Sequence, residues 1–131
     1  MCIRDRLVSG GRLRPGDQAL AGPHAAAFFA EYYADLAFLG SGGVSATAGL
    51  TDYHPDEVDV RRAVIEHADR AYVLADATKL GAVAARRVCA LDRLTGLVSD
   101  GEPDAELAAA LHEAGTDVLT PHHPGVRSDA G

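Results

Sequence analysis

Apolar residues recur along the chain with two spacings, and the change between them outlines the elements. In GPHAAAFFAEYYADL, Ala26, Phe29, Ala30 and Tyr33 follow the i, i+3, i+4, i+7 spacing of one helical face, and Pro23 suits a first helical position. HPDEVDVRRAVIEHAD is the clearest helix: Pro55 fits the first turn, Asp56, Glu57 and Asp59 complement the positive N-terminus, and Val60, Ala63, Val64 and His67 form a stripe. EPDAELAAALHEAG gives a third helix, opened by Pro103, with Leu107, Ala110, Leu111 and Ala114 as its face and Gly115 as its cap. Short apolar runs lie between them. Residues 35–40 (DLAFLG) read as a short buried strand ending in glycine. Residues 71–75 read as a strand covered on both faces, because the run is nearly continuous. AARRVCAL reads as a short strand or a helix, with strand favoured, and TGLVSD (95–100) and TDVLTP complete the set of strands.

Helix, strand, helix, strand, strand, helix, strand predicts an α/β layered domain with a mostly parallel sheet. Ligands of such sheets bind outside the carboxyl ends of the strands. That rule puts Gly40-Ser41-Gly42-Gly43 and Asp76-Ala77-Thr78-Lys79 at one edge, since each directly follows a predicted strand.

Composition narrows the picture. The 131 residues suffice for one domain, and 47% are hydrophobic, but only 5% are aromatic and tryptophan is absent, so a core of small residues must be closely layered. LVSGGRLRPGDQAL runs from a short apolar pair straight into the turn signals Gly10-Gly11 and Pro15-Gly16, an abrupt start for a domain. Residues 1–6 (MCIRDR) have no period and stand apart from the fold, residues 7–120 form the domain, and the polar residues 121–131 read as a disordered tail. A net charge of −7 argues against a nucleic-acid surface on this chain itself. The two cysteines, Cys2 and Cys89, form no CxxC and read as reduced cytosolic thiols. With no apolar run near ~18 residues and no signal peptide, the expectation is a cytoplasmic protein without a membrane partner.

The candidate chemistry is sparse. The stretch LGSGGVSATAGLT (39–51) is neither GxGxxG nor GxxxxGK, so it is either a tight turn or a loop whose N–H groups cradle an anion. Lys79 is the only lysine, against eleven arginines. A lone lysine in LADATKLG is either solvated or placed where a compact ammonium is wanted, with Asp76 to orient it or accept a ligand hydroxyl and Thr78 to donate to a phosphate oxygen. Glu57 and Arg61, at i and i+4, read as a surface ion pair. The histidines make no HxH or HExxH, no GxSxG is present, and no catalytic residue, metal site or cofactor is expected.

In series, GGRLRP…ALAGPHA, ADLAFLGSGGVSATAGLT, DEVDVRRAVIEHADRAYVLADATKLG and LTGLVSD resemble the sensor domain of the DeoR family of bacterial transcriptional regulators, which includes glycerol-3-phosphate-type repressors. The resemblance spans roughly residues 7–119. It implies a fold like ribose-5-phosphate isomerase, used for sensing a phosphorylated sugar or polyol effector rather than for catalysis. It also implies a homo-oligomer that binds operator DNA through an N-terminal winged helix-turn-helix and releases it on effector binding. Carried over by position, the ligand-facing residues are Asp35, Gly40, Ser41, Gly42, Gly43, Thr51, Asp76 and Lys79. The helix-turn-helix, a GGTT-like phosphate loop and a TN strand end of the family are not in this chain, which begins about halfway through an ordinary member. Arg61 stands where the family often has lysine. Two other readings are a sugar-phosphate isomerase, with Asp35 or Asp76 as base and Lys79 as electrophile, and a nonfunctional truncated product; GSGGVS lacks the acidic residues of the isomerases.

Overall fold

The computed structural model describes residues 5–121. Cys2 and the expected disordered tail beyond residue 121 lie outside the described residues. In chain order the elements are β1 (Arg12–Leu13), β2 (Leu20–Ala21), α1 (Pro23–Ala30), β3 (Ala34–Leu39), β4 (Gly43–Ser45) and β5 (Gly49–Asp52). They continue with α2 (Pro55–Glu66), β6 (Ala68–Leu74), β7 (Arg86–Cys89), β8 (Gly96–Val98), α3 (Ala105–Ala114) and β9 (Asp117–Leu119). Short 3₁₀ turns cover Ala77–Lys79 and Leu91–Arg93.

The expected α/β architecture is present. Its centre is a parallel sheet in the order β3-β6-β8-β9. A smaller antiparallel sheet, β4-β5-β7, packs beside it, and β1 and β2 form a short ribbon. Leu50, Leu97, Leu111, Val44, Val58 and Val73 are the largest wholly buried apolar side chains, drawn from both sheets and from α2 and α3. Such a core suits a sequence poor in aromatics, because branched side chains of similar size fill space between layers without large voids.

Several expectations change. β3 and β6 are covered on one face only. Ala37 and Leu39 of β3, with Ala71 and Val73 of β6, point into the core, while Leu36, Phe38 and Leu74 are exposed, Phe38 at 63%. The apolar run of β6 is therefore an alternating strand whose outer positions are apolar too, and β3 is an edge strand. On the outer face the rings of Phe38 and Tyr72 stack at 6.0 Å.

α1 ends at Ala30, so Tyr33 falls beyond it and is 90% exposed; the buried residue of the helix is Ala25. In α2 the buried positions are Val58 and Ile65, one i, i+7 row, while the expected Val60 and Val64 line a groove with Phe29 and Tyr32. Val64 still packs against the core, so the stripe lies at the core's edge, between it and the groove shared with α1 and β3. α3 matches its expected face, with Leu107 and Leu111 buried, and Gly115 adopts the left-handed cap at φ 75°. Its N-cap is Asp104, which accepts from the Leu107 N–H at 2.8 Å, so Pro103 precedes the helix rather than opening it. AARRVCAL does supply a strand, β7, but in the smaller sheet against β5. The glycine-rich stretch is mostly the β4–β5 hairpin, with Gly43 opposite Thr51 and Ser45 opposite Gly49.

Candidate functional site

β3 and β6 are parallel neighbours with Leu39 opposite Val73, so the residues that follow each strand emerge at the same end of the sheet. Gly40-Ser41-Gly42 follows one and Asp76 to Lys79 the other. The first segment is tied to the end of β6: the Ser41 hydroxyl donates to the Leu74 carbonyl at 3.3 Å. Asp76 caps the 3₁₀ turn, accepting from the Thr78 N–H at 2.9 Å and from the Thr78 hydroxyl. Those bonds, the side-chain one first, together with the Lys79 charge, hold its carboxyl below the ordinary aspartate value, so it is ionised at neutral pH. The Ala77 N–H donates to Asp100 at 2.8 Å, tying the turn to the end of β8. On its other side the turn meets β4, where the Gly81 N–H donates to the Val44 carbonyl at 2.7 Å. Lys79 thus sits, half-buried, on a segment fixed from two sides.

The four glycines of the stretch 39–49 divide by function. A Cβ on Gly42 would lie 3.0 Å from the Asp52 Cα, and one on Gly43 would lie 2.2 Å from the Ala82 carbonyl oxygen. These residues let backbones approach closely. The Gly42 N–H also donates to the Thr51 carbonyl at 3.0 Å. Thr51 is wholly buried, its hydroxyl donating to the Gly43 carbonyl at 3.3 Å and accepting from the Ala84 N–H at 2.8 Å. Gly49, at φ 72°, closes the hairpin. Gly40 is exposed, and its one near neighbour is the end of the Arg61 side chain.

The fold therefore places Gly40, Ser41, Asp76 and Lys79 after neighbouring strands at one end of the parallel sheet. Gly42 and Gly43 instead pack against Asp52 and Ala82, and Thr51 lies inside the hairpin. Asp35 stands at the amino end of β3, about 16 Å away at roughly 3.3 Å per residue.

Asp52 is a residue the sequence did not point to, and the expected Glu57–Arg61 pair is present but largely buried rather than at the surface. Arg61 forms an ion pair with Asp52, whose side chain is only 5% exposed, and the Glu57 carboxylate is a looser neighbour at 3.7 Å. Burial pushes the Arg61 guanidinium below its ordinary value, with nearby Arg14 adding to the effect. The only available signal was an acidic residue ending a run of buried hairpin residues, where an unpaired carboxylate would be costly. Arg61 also closes one end of a groove of about 380 Å³ along the open side of β3, lined by Phe29, Tyr32, Phe38 and Val60 among others.

Cys89 is half-buried, and burial pushes its thiol up to about 11, so it is protonated at neutral pH. Among the described residues no group of His, Cys, Asp and Glu could hold a metal ion, and no helix is long and apolar enough to cross a membrane.

Residues 5–101 match the family described as the DeoR C-terminal sensor domain. The HTH-type transcriptional regulator GlpR of Haloferax volcanii is 31% identical over 112 residues, which cover 86% of this chain and 44% of that protein. The HTH-type transcriptional repressor CsqR of Escherichia coli is 30% identical over 88% of the chain and 44% of its own length. The glycerol-3-phosphate regulon repressor of Escherichia coli is 25% identical over 89% of the chain and 43% of its length. The chain thus spans less than half the length of these curated relatives.

Proposed function

The chain belongs to the DeoR C-terminal sensor domain family, and from that premise we propose that it is the effector-sensing part of a cytoplasmic, homo-oligomeric transcriptional repressor. The effector is a phosphorylated sugar or polyol, bound at the carboxyl ends of β3 and β6. Lys79 supplies a compact ammonium for the phosphate, which also draws on backbone N–H groups at Gly40 and Ser41. Asp76, ionised and acceptor-only, reads a hydroxyl of the carbon chain. Binding favours one state of the sensor, and the DNA-binding heads coupled to it lose their operator geometry.

The observation that carries the reading is the in-register emergence of Gly40-Ser41 and Asp76–Lys79 at one sheet end, bridged from Ser41 to Leu74. The regulatory role rests on the relatives, which are named as transcriptional regulators and repressors. In the repressor that carries this domain, Lys79→Ala is expected to abolish release of operator DNA by the effector while leaving effector-free operator binding intact, as read by electrophoretic mobility shift. Undiminished release in the variant would overturn the assignment of Lys79.

A further inference from the structure

We infer that Arg61 is a positioning residue of this site: clamped by Asp52 and Glu57, its guanidinium sets the aim of the backbone at Gly40 and Ser41. The inference rests on the phosphate reading above and adds a residue to it.

Three observations converge on Arg61. The first is contact. A Cβ built on Gly40 would lie 3.3 Å from Arg61 Nη2, and no other atom outside the adjoining residues comes within 4 Å. The chain at the end of β3 therefore passes directly over the guanidinium. The second is isolation. The groove along β3 is otherwise lined by apolar side chains and His67, and Arg61 is its one lining residue with a full charge. Its two ends are marked by the strand register: His67, whose carbonyl accepts from the Ala34 N–H at 3.0 Å, lies at the amino end of β3, and Gly40 lies at the carboxyl end beside Arg61. The cation thus sits where the candidate site begins.

The third observation is the clamp. Asp52 engages Nη1, and Glu57 stands 3.7 Å from Nη2, too far for a hydrogen bond. Nη2 is thereby left near Gly40 with donor capacity, since a guanidinium carries five N–H groups. Glu57 is itself fixed by Arg14, which also pairs with Asp17. The carboxylates holding Arg61 belong to β5 and α2, so the guanidinium is fixed relative to the fold rather than swinging on its own stem. A planar fork held this way fixes the height and direction of the backbone above it, which a flexible ammonium does less well.

Removing Arg61 alone would strand the Asp52 carboxylate in the interior, so the test uses Arg61→Lys, which keeps the charge, and the double variant Asp52→Asn/Arg61→Gln, which removes both. Inorganic phosphate is titrated into the ¹⁵N-labelled chain and followed through the backbone amides of Gly40, Ser41 and residues 77–79. In the wild type the Gly40 and Ser41 amides are expected to shift saturably. The double variant is expected to raise the phosphate Kd roughly tenfold, moving Gly40 and Ser41 even without phosphate but leaving residues 77–79 in place. Arg61→Lys, which keeps the charge but not the fork, is expected to fall between the wild type and the double variant in affinity and to move Gly40 and Ser41 in the same direction as the double variant. Wild-type affinity in the double variant would overturn the role of Arg61 alone. A wild type with no saturable response would instead overturn the phosphate reading on which it rests.

Discussion

Gly43 and Gly40 carry the same side chain for different reasons, and substitution separates them. A Cβ on Gly43 would stand 2.2 Å from the Ala82 carbonyl oxygen, a backbone atom held by the neighbouring turn. Relief requires moving β4 away from residues 81–82, where the Gly81 N–H now meets the Val44 carbonyl. Gly43→Ala is therefore expected to lower stability by about 1–3 kcal/mol, the usual range for overpacking, read as a lower urea midpoint. Gly40→Ala meets only Arg61 Nη2, at 3.3 Å and not a backbone atom, so it is expected to lower the midpoint less than Gly43→Ala while altering any phosphate response. Sequence alone showed a glycine-rich stretch and offered turn or anion cradle as alternatives. The distinction was illegible there because it depends on what lies across from each residue, and Ala82 and Arg61 are distant in sequence.

At the scale of the element, legibility follows local chemistry. α3 could be read almost completely because its signals are its own: an apolar face at helical spacing and a glycine in the left-handed cap position. The cap residue was displaced by one, because Asp104 rather than Pro103 satisfies the first free N–H groups. Asp104→Ala is accordingly expected to cost about 1 kcal/mol, seen as a shifted urea midpoint with an unchanged slope. The hairpin β4–β5 is not legible along the chain because its strands, Gly43–Ser45 and Gly49–Asp52, are short, buried throughout and without polar alternation. Its pairing comes from register and from Thr51, not from a pattern visible along the chain. The faces of α1 and α2 were misassigned for a related reason. Helical period names a stripe, but packing decides how deep each position lies: Val58 and Ile65 are buried, Val64 borders the core and Val60 lines the groove.

Over the whole molecule, the parallel direction of the main sheet and the shared end of β3 and β6 were legible, because the alternation of helices and strands dictates both. What the sequence did not convey is that Leu36, Phe38 and Leu74 lie exposed on one sheet face. Parallel sheets are ordinarily covered on both faces, and this chain spans less than half the length of its curated relatives. The candidate site is equally uneven. Gly40, Ser41, Asp76 and Lys79 share one sheet end, Thr51 serves the hairpin, and Arg61 of α2, expected in a surface ion pair with Glu57, is largely buried against Asp52. The central claim is that this sheet end binds a phosphorylated sugar or polyol through Lys79. It is tested most directly by calorimetric titration and thermal melting of the chain against a panel of sugar and polyol phosphates, their unphosphorylated counterparts, and the Lys79→Ala variant. The expected result is saturable binding of at least one phosphorylated compound, with a stabilisation of roughly 2.7 kcal/mol at a hundredfold excess over Kd, no response to the unphosphorylated counterpart, and loss of both signals in Lys79→Ala. Binding of no phosphorylated compound, or equal binding by the Lys79→Ala variant, would contradict it.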